Sequence, residues 1–294
     1  MAQRAETAAG TLVSLRFGSR TDVGRKRAVN EDSILAASPV FIVADGMGGH
    51  EAGDLASAAV VAEFRSLIGR PGVRAEEVAW SVDRANDAVR RVAERTTKGA
   101  GSTLAGVVLV DHLGRPHWLV LNVGDSRVYR MLDGDLNQLT VDHSVVQELV
   151  DNGTLQRSDV ATFAQRNVIT RAMGADDSPA DYWLIPVITG ERILVCSDGL
   201  TGELNDETIK AGLTLNGETQ QTADILLGQA LARGGRDNIS VLVIDVVAGG
   251  ATVREDPSTS SSGDTAADSV DDTVDVRRDE TAEVPGRKGR RNVH

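Results

Sequence analysis

The chain has 294 residues, of which 41% are hydrophobic and 25% charged, a composition typical of a folded globular protein and incompatible with a wholly disordered chain. Its 43 acidic residues outnumber its 31 basic residues, so the formal net charge is −12 and the electropositive surface expected of a nucleic-acid-binding protein is missing. This acidic surplus has two explanations: an ordinary solvated surface, or carboxylates gathered to hold cations.

Two features of the sequence predict a soluble, cytoplasmic protein. Residues 1–18 lack the apolar run of a signal peptide, and no stretch of the chain approaches the roughly 20 apolar residues of a membrane span. The single cysteine, Cys196, cannot form an internal disulfide, which agrees with a reducing compartment.

The composition changes abruptly at Ala251, after which Ser, Thr, Asp and Glu dominate without aromatic residues or apolar periodicity. Such a segment cannot offset its ordering entropy by burial. We therefore expect a flexible N-terminus at residues 1–11, a folded domain at residues 12–250, and a disordered acidic tail with a basic end at residues 251–294.

Short β-branched runs bounded by Gly, Asp or Asn predict strands along the folded domain. In chain order they cover residues 41–44, 103–110, 118–123, 127–132, 182–187, 193–196 and 239–246. Apolar residues at helical spacing predict helices within residues 54–67, 78–92, 144–151, 206–213 and 223–231. Short turns within the run of strands at 103–110, 118–123 and 127–132 favour antiparallel hairpins, so the expected class is α+β, with helices covering the sheets.

Four aspartates lie at the ends of predicted strands. Asp45, Asp125 and Asp198 follow apolar runs, and Asp237 precedes one. Taken singly, an Asp-Gly or Asp-Asn pair beside a strand is usually only a turn. Four carboxylates at the edge of a core are costly unless they are paired or bind a cation, so together they predict a metal site.

The available side chains indicate which metal this site would bind. The five histidines are scattered without zinc-site spacing and one cysteine cannot build a thiolate site, which disfavours zinc. All-oxygen ligation suits Mg²⁺ or Mn²⁺, and clustered aspartates suit two ions that share a bridging ligand. Such a pair turns water into hydroxide near neutral pH and aligns it for in-line attack on phosphorus, so hydrolysis of a phosphate ester is the expected chemistry.

Residues 21–32 place cationic side chains beside further acids. A guanidinium there could grip a phosphate through two parallel hydrogen bonds, which an ammonium cannot do. In isolation, however, the segment is more simply explained as a polar surface loop.

Five motifs follow one another within residues 12–247. They are Thr-Asp-Val-Gly-x-x-Arg-x-x-Asn-Glu-Asp at 21–32, Val-Ala-Asp-Gly-Met-Gly-Gly-His at 43–50, Gly-Asp-Ser-Arg at 124–127, Cys-Ser-Asp-Gly-Leu at 196–200 and Gly-Gly-Arg-Asp-Asn-Ile at 234–239. In content, order and spacing they resemble the motifs of the PP2C (PPM) metal-dependent protein serine/threonine phosphatases, most closely the bacterial branch. The resemblance implies a four-layer α-β-β-α sandwich of two antiparallel sheets flanked by helices, with the metals in a cleft at one rim.

The resemblance also implies a role for each acid of the predicted metal site. Asp45 would bridge two Mn²⁺ or Mg²⁺ ions, and Gly46 would contribute its backbone carbonyl. Asp198 and Asp237 would hold the first ion. A hydroxide bridging the two ions would attack phosphoserine or phosphothreonine.

Five further residues receive roles from the same comparison. Glu31 would serve the second ion directly or through water, with Asp32 behind it. Asp125 would belong to a third, weaker metal site, to which Asn167 is a candidate contributor. Arg27 would bind the substrate phosphate.

Two parts of the family pattern leave questions open, one about the general acid and one about substrate choice. Many eukaryotic members carry a histidine directly after the Asp-Gly, whereas this chain has Met47 there and its nearest histidine is His50. The general acid is therefore unassigned, and a metal-bound water or the solvent could take its place. The stretch from about His143 to Asn167 corresponds to the mobile flap that affects substrate choice in the family.

Three alternative functions have some support in the sequence or in the chemistry of the site. A cysteine-dependent phosphatase would need an arginine at position 202, which is Gly202. A pseudophosphatase that only binds phosphoproteins should lack a metal ligand, yet Asp45, Asp198, Asp237 and Arg27 are all present. The same chemistry on a sigma-factor regulator or a small phosphorylated molecule stays open.

The resemblance implies phosphorylated proteins as substrates and a cognate Ser/Thr kinase as the opposing enzyme. No feature of the sequence predicts a nucleic-acid partner or a membrane segment, and we expect a monomer.

Overall fold

The computed structural model describes residues 3–6, 12–48, 52–97, 99–215, 217–252 and 274–275. The strands are β1 (Gln3–Glu6), β2 (Leu12–Asp22), β3 (Asp32–Ala37), β4 (Val40–Gly48), β5 (Ala100–Ser102), β6 (Leu104–His112), β7 (Arg115–Val123), β8 (Arg127–Leu132), β9 (Asp135–Gln138), β10 (Asp181–Pro186), β11 (Arg192–Cys196), β12 (Ile239–Ala248) and β13 (Val274–Asp275).

The helices lie between these strands. They are α1 (Gly53–Phe64), α2 (Ala75–Ala93), α3 (Val145–Asp151), α4 (Asp198–Thr201), α5 (Asp206–Leu215) and α6 (Thr219–Arg233), with 3₁₀ turns at Arg65–Leu67 and Arg157–Thr162. In the part of the chain covered by the structure, no helix is both long and apolar enough to cross a membrane.

The strands form two antiparallel sheets. The first has the order β1-β2-β12-β11-β8-β9, and the second has the order β13-β10-β7-β6-β4-β3, with β5 paired to β4. Helices α1 and α2 cover the second sheet, and α4, α5 and α6 cover the first. The α+β class and the four-layer arrangement predicted from the sequence are confirmed.

Alternation of side chains along the strands produces three apolar layers. In β4, Phe41 and Val43 pack between the two sheets, whereas Ile42 and Ala44 face α1 and α2. Successive strand residues point to opposite faces, so a strand covered on both sides is apolar throughout. Each fully buried large apolar side chain contributes roughly 1.5–3 kcal/mol to the free energy of folding relative to an exposed one. The packed sheets therefore hold the residues at their strand ends in fixed positions.

One predicted hairpin is wrong. β6 pairs with β7 as expected, but β8 pairs with β11 and β9 in the other sheet rather than continuing from β7. Gly124, between β7 and β8, has a φ of 102°, which side-chain-bearing residues rarely adopt. The Gly-Asp-Ser segment is thus a crossover between sheets, and it carries Asp125 at the rim.

Two short segments near the ends of the chain form strands outside the domain boundaries expected from the sequence. Gln3–Glu6, within the N-terminus predicted to be flexible, pair with β2, and Val274–Asp275, within the predicted tail, pair with β10. Open sheet edges carry unpaired backbone groups that favour such pairing. The remaining residues of the predicted tail, 253–273 and 276–294, lie outside the described residues.

Candidate metal centre and active site

Strands from both sheets bring the predicted acids to one rim of the sandwich. Cys196, at the end of β11, pairs with the first residue of β8 and with the third residue of β12. The segments that carry Asp125, Asp198 and Asp237 therefore leave the first sheet at the same end. Asp45, near the end of β4, brings the second sheet to this rim.

Asp32 and Asp45 lie directly opposite each other in the β3–β4 pair. Ser197 Oγ, from the first sheet, donates a 2.8 Å hydrogen bond to Asp32 Oδ2 and so ties the two sheets together at the rim. Asp32 Oδ1 and Asp198 Oδ1 are buried without a hydrogen-bond partner among the described residues. Buried carboxylate oxygens without donors need another source of positive charge.

The acids at the rim perturb one another. Burial raises the pKa of Asp45 well above its usual range, and the charges of Asp32, Asp198 and Asp125 raise it further. Burial also raises the pKa of Asp198, with a further contribution from the charge of Asp237, even though Asp198 is in hydrogen-bond contact with Asp45. Two carboxyl groups in such contact require a shared proton or a cation between them.

The same causes act on two neighbours. Burial raises the pKa of Asp32 to about 7, while hydrogen bonds from Ser240 and Ser197 oppose the shift. Burial, followed by the charge of Asp198, raises the pKa of Asp125 to about 8. Negative charge is therefore concentrated at this rim beyond what the surrounding side chains neutralise.

Glu31 and Arg27 lie at the open side of the cluster. The Glu31 amide donates to Asn238 Oδ1 at 2.8 Å, and its carbonyl accepts from Gly46 N at 3.1 Å. Burial raises the pKa of the Glu31 carboxyl, and the charge of Arg27 opposes that shift. Arg27 Nη2 donates to Asp237 Oδ2 at 2.7 Å, with the Arg27 side chain 49% exposed, so a guanidinium stands at the entrance to the acids.

Gly46 is required by close packing. A Cβ at this position would collide with the Gly53 carbonyl and lie 2.6 Å from the Glu31 carbonyl oxygen. The absence of a side chain lets the Asp45–Gly46 turn pack against the start of α1 and the Glu31 backbone.

Three residues that sequence reasoning did not assign hold the acids in position. Thr103 Oγ1 accepts from Asp45 N at 2.9 Å, and Thr103 N donates to the Asp45 carbonyl at 2.8 Å. Asn238 fixes the Glu31 backbone, and Ser197 fixes Asp32. Two of these residues could have been found from their positions in the sequence. Ser197 directly precedes Asp198 and Asn238 directly follows Asp237, and both aspartates are predicted metal ligands.

Other residues singled out in the sequence lie elsewhere. Asn167 is exposed in a turn, and the structure does not place it among the acids. Cys196 is fully buried, chiefly against α4, α5 and α6, and burial raises the pKa of its thiol to about 12, which is unsuited to a nucleophile. His50 lies outside the described residues. The segment predicted to form the flap contains α3 and the 3₁₀ turn Arg157–Thr162.

The donor chemistry of the rim fits a hard divalent cation. All candidate ligands are oxygens, and in the described part of the chain Asp198 Oδ1 and the neighbouring Asp32 Oδ1 lack hydrogen-bond partners. Within those same residues, no group of three or more acids forms a ready-made cage. Asp45 nevertheless lies directly opposite Asp32, and Asp32 is hydrogen-bonded to Ser197, the residue before Asp198, so bound ions would complete an arrangement whose backbone pairing is already in place.

Comparison with known proteins identifies the family to which the chain is similar. The family model described as protein phosphatase 2C matches residues 24–230. The chain is 37% identical over 242 residues to the serine/threonine protein phosphatase PstP of Mycobacterium tuberculosis, covering 81% of this chain but 46% of PstP, so the chain spans about half the length of that relative. It is 33% identical over 245 residues to the serine/threonine phosphatase Stp of Listeria welshimeri, covering 77% of this chain and 94% of Stp.

Solved structures share the fold over the same region. The catalytic domain of PstP in complex with two manganese ions superposes with a TM-score of 0.73 at 34% identity, covering 80% of this chain and 99% of that one. A second crystal structure, of the M. tuberculosis phosphatase PstP/Ppp, gives a TM-score of 0.74 at 35% identity, with the same coverage. From its motifs, its fold and these comparisons, the chain belongs to the protein phosphatase 2C family.

Proposed function

We propose that this chain is a Mn²⁺- or Mg²⁺-dependent protein serine/threonine phosphatase. The observation that carries the proposal is the group of buried and partly buried carboxylates at the rim, where Asp45 faces Asp32, contacts Asp198 and lies close to Arg27. Acids arranged in this way need cations, and a neighbouring arginine suits a phosphate substrate. Relatives named serine/threonine phosphatases support the assignment.

Two ions would be held by the central acids. We assign Asp45 as the bridging ligand with the Gly46 carbonyl beside it, Asp198 and Asp237 to the first ion, and Glu31 to the second. When bound, two such ions acidify a water molecule and neutralise charge on a transferring phosphoryl group. The two manganese ions in the PstP catalytic domain support a binuclear centre here.

A third, weaker ion would depend on Asp125. Its side chain is partly buried; burial raises its pKa, the charges of Asp198 and Asp142 raise it further, and the charge of Arg127 opposes only part of this shift. We keep Asn167 as a candidate contributor only, since its side chain is exposed in a turn. Asp32 would act behind the ligands, through its hydrogen bond from Ser197.

The chain's own groups would bind and orient the substrate. The half-exposed Arg27 would donate paired hydrogen bonds to the phosphate, and its contact with Asp237 would keep the guanidinium at the entrance. Met47 occupies the position after Asp-Gly and cannot donate a proton. The leaving serine or threonine alkoxide would therefore take its proton from water.

Phosphorylated proteins are the proposed substrates, with a cognate Ser/Thr kinase as the opposing enzyme and a monomer as the working unit. The second candidate is the same reaction on a sigma-factor regulator or a small phosphorylated molecule. The names of the relatives favour protein substrates.

Phosphate release measured with three substrates tests the proposal. Phosphothreonine and phosphoserine peptides and p-nitrophenyl phosphate should all be hydrolysed in Mn²⁺ or Mg²⁺, and EDTA should abolish hydrolysis. Activity that survives chelation would contradict metal dependence. Phosphopeptide binding without turnover would indicate a binding module, and hydrolysis of p-nitrophenyl phosphate alone would favour a small-molecule substrate.

A further inference from the structure

His143 closes a ring of hydrogen bonds around Gly124, the residue before Asp125. The Gly124 amide donates to His143 Nδ1 at 3.1 Å, and the His143 amide donates to the Gly124 carbonyl at 2.9 Å. The His143 side chain is only 6% exposed, and no role in the proposed chemistry has been given to it. The backbone amide and the backbone carbonyl of Gly124 are thus both held by one residue.

The hydrogen-bond pattern assigns the tautomer of this imidazole. A backbone amide can only donate, so His143 Nδ1 must carry no proton. The ring proton therefore resides on Nε2, which donates to Asp181 Oδ2 at 3.0 Å. Arg171 Nη1 also lies 3.1 Å from Nε2, but two donors cannot bond each other, and Arg171 instead donates to Asp181 Oδ1 at 2.8 Å.

Asp181 thus joins His143 to Arg171. The hydrogen bond from His143, followed by the one from Arg171, lowers the pKa of Asp181, so it is held as a carboxylate that accepts from both. Asp181 is the first residue of β10 and pairs with Asn122 in β7, while Asn122 Nδ2 also donates to the Gly124 carbonyl at 3.2 Å. A chain of contacts therefore runs from the sheet edge to the turn that carries Asp125.

We propose that His143 is a positioning residue for the proposed metal centre, holding the Gly124–Asp125 turn so that the Asp125 carboxylate faces the other acids, with Asp181 and Arg171 fixing its tautomer. This inference rests on the proposed function. Gly124 lies outside both β7 and β8, where the chain crosses between sheets, so strand pairing does not hold its amide and carbonyl and the contacts from His143 do. Outer partners that orient a ligand typically change metal affinity or activity by about 10- to 100-fold when removed.

Three variants separate positioning from mere packing. In His143→Asn, the amide oxygen occupies the place of Nδ1 and can accept from Gly124. In His143→Gln, the amide nitrogen occupies the place of Nε2 and can reach Asp181, but nothing accepts from Gly124. His143→Ala removes both contacts, and His117→Ala, a partly buried position in the β6–β7 hairpin at the other end of the sandwich, is the control.

We expect Ala and Gln at position 143 to raise the Mn²⁺ concentration for half-maximal activity and to lower kcat by about 10- to 100-fold, with KM for a phosphothreonine peptide unchanged. The Asn variant should recover most of this loss. In an Asp125→Asn background, His143→Ala should add no more than about twofold, because residues acting through one ligand are not additive. Equal activity of the Gln and Asn variants, a normal Ala variant, or full additivity with Asp125→Asn would overturn the proposal.

A measurement on the unmodified protein does not depend on activity or on the folding of a variant. Nitrogen NMR of the full chain, recorded with and without diamagnetic Mg²⁺, should show His143 with Nδ1 unprotonated and Nε2 protonated, and the Gly124 amide should exchange slowly with solvent. The opposite tautomer or a rapidly exchanging Gly124 amide would overturn the inference even in an active enzyme. Conversely, a wild-type chain that shows this tautomer but no metal-dependent hydrolysis would refute the proposed function and leave the hydrogen-bond assignment standing.

Discussion

Asp32 and Asp45 occupy directly opposed positions of the antiparallel β3–β4 pair, so two carboxyl groups face each other at the rim of the sandwich. Like charges at such positions destabilise a sheet, and burial makes the repulsion stronger. The pair is tolerable only when a proton or a cation offsets its charge. The stability of this fold and its proposed chemistry therefore depend on the same groups.

The melting temperature of the metal-free protein should fall as pH rises above about 5. Asp32 and Asp125 have folded-state pKa values of about 7 and about 8, raised first by burial, against about 3.9 in an unfolded chain. The folded state keeps protons that the unfolded state releases, so this stability is present at low pH and is lost as pH rises through the folded-state values. Scanning fluorimetry in EDTA measures the effect.

Two controls accompany that scan. Asp32→Asn should flatten the pH dependence, whereas Asp133→Asn, in the β8–β9 turn at the opposite end of β8, should not. Saturating Mn²⁺ at the alkaline end should restore stability, by about 2.7 kcal/mol at 100 times the dissociation constant. A melting temperature that rises across this pH range in EDTA would contradict the account.

Asp45→Asn should lower turnover of a phosphothreonine peptide by at least about 10²-fold. A ligand shared by two ions positions both the nucleophile and the compensating charge, so its loss affects each. In EDTA the same variant should melt at a higher temperature than wild type, because one buried charge is removed. Asp133→Asn is the matched control. Near-normal turnover by Asp45→Asn would show that Asp45 is not the central ligand of the site.

Arg27→Ala should raise KM for phosphopeptides with a smaller effect on kcat, since its grip on phosphate is expected to be similar in the ground and transition states. Arg27→Lys should recover little, because an ammonium keeps the charge but loses the paired donors. Lys26→Ala is the control for a lost neighbouring charge. Steady-state kinetics in saturating Mn²⁺ decide the matter, and unchanged KM and kcat would remove Arg27 from the site.

Cys196→Ala should retain activity within a few-fold and cost stability instead, because the thiol lies in the apolar layer beneath α4, α5 and α6 and its removal leaves a small cavity. The native protein should also resist iodoacetamide, since burial raises the pKa of this thiol to about 12. Rapid inactivation by iodoacetamide, or loss of turnover in Cys196→Ala, would instead support a mechanism in which Cys196 is the nucleophile.

The sequence predicted what depends on local pattern. Apolar runs such as Ile239–Ala248 are strong signals because both faces of the strand are buried, and the aspartates that end such strands could be grouped before their positions were known. β2 was missed because Arg16 and Arg20 interrupt its apolar alternation, and β8 was assigned to the wrong hairpin because its exchange of sheets depends on the Gly124 backbone.

The supports of the site depend on contacts far apart in the chain. Ser197 and Asp32 are separated by 165 residues, and His143 and Asp181 by 38. No local pattern predicts which hydroxyl or imidazole will meet a given carboxylate or amide after folding. Motif resemblance could suggest the metal ligands, but it could not show what holds those ligands in place.

The most direct test of the central claim is to count the Mn²⁺ ions bound by the EDTA-stripped full chain, by equilibrium dialysis, in wild type and in Asp45→Asn. The account predicts two tightly bound ions per wild-type chain and loss of tight binding in the variant, while Asp133→Asn binds as wild type does. Wild-type protein that binds no Mn²⁺ or Mg²⁺, or an Asp45→Asn variant that binds both ions unchanged, would contradict it.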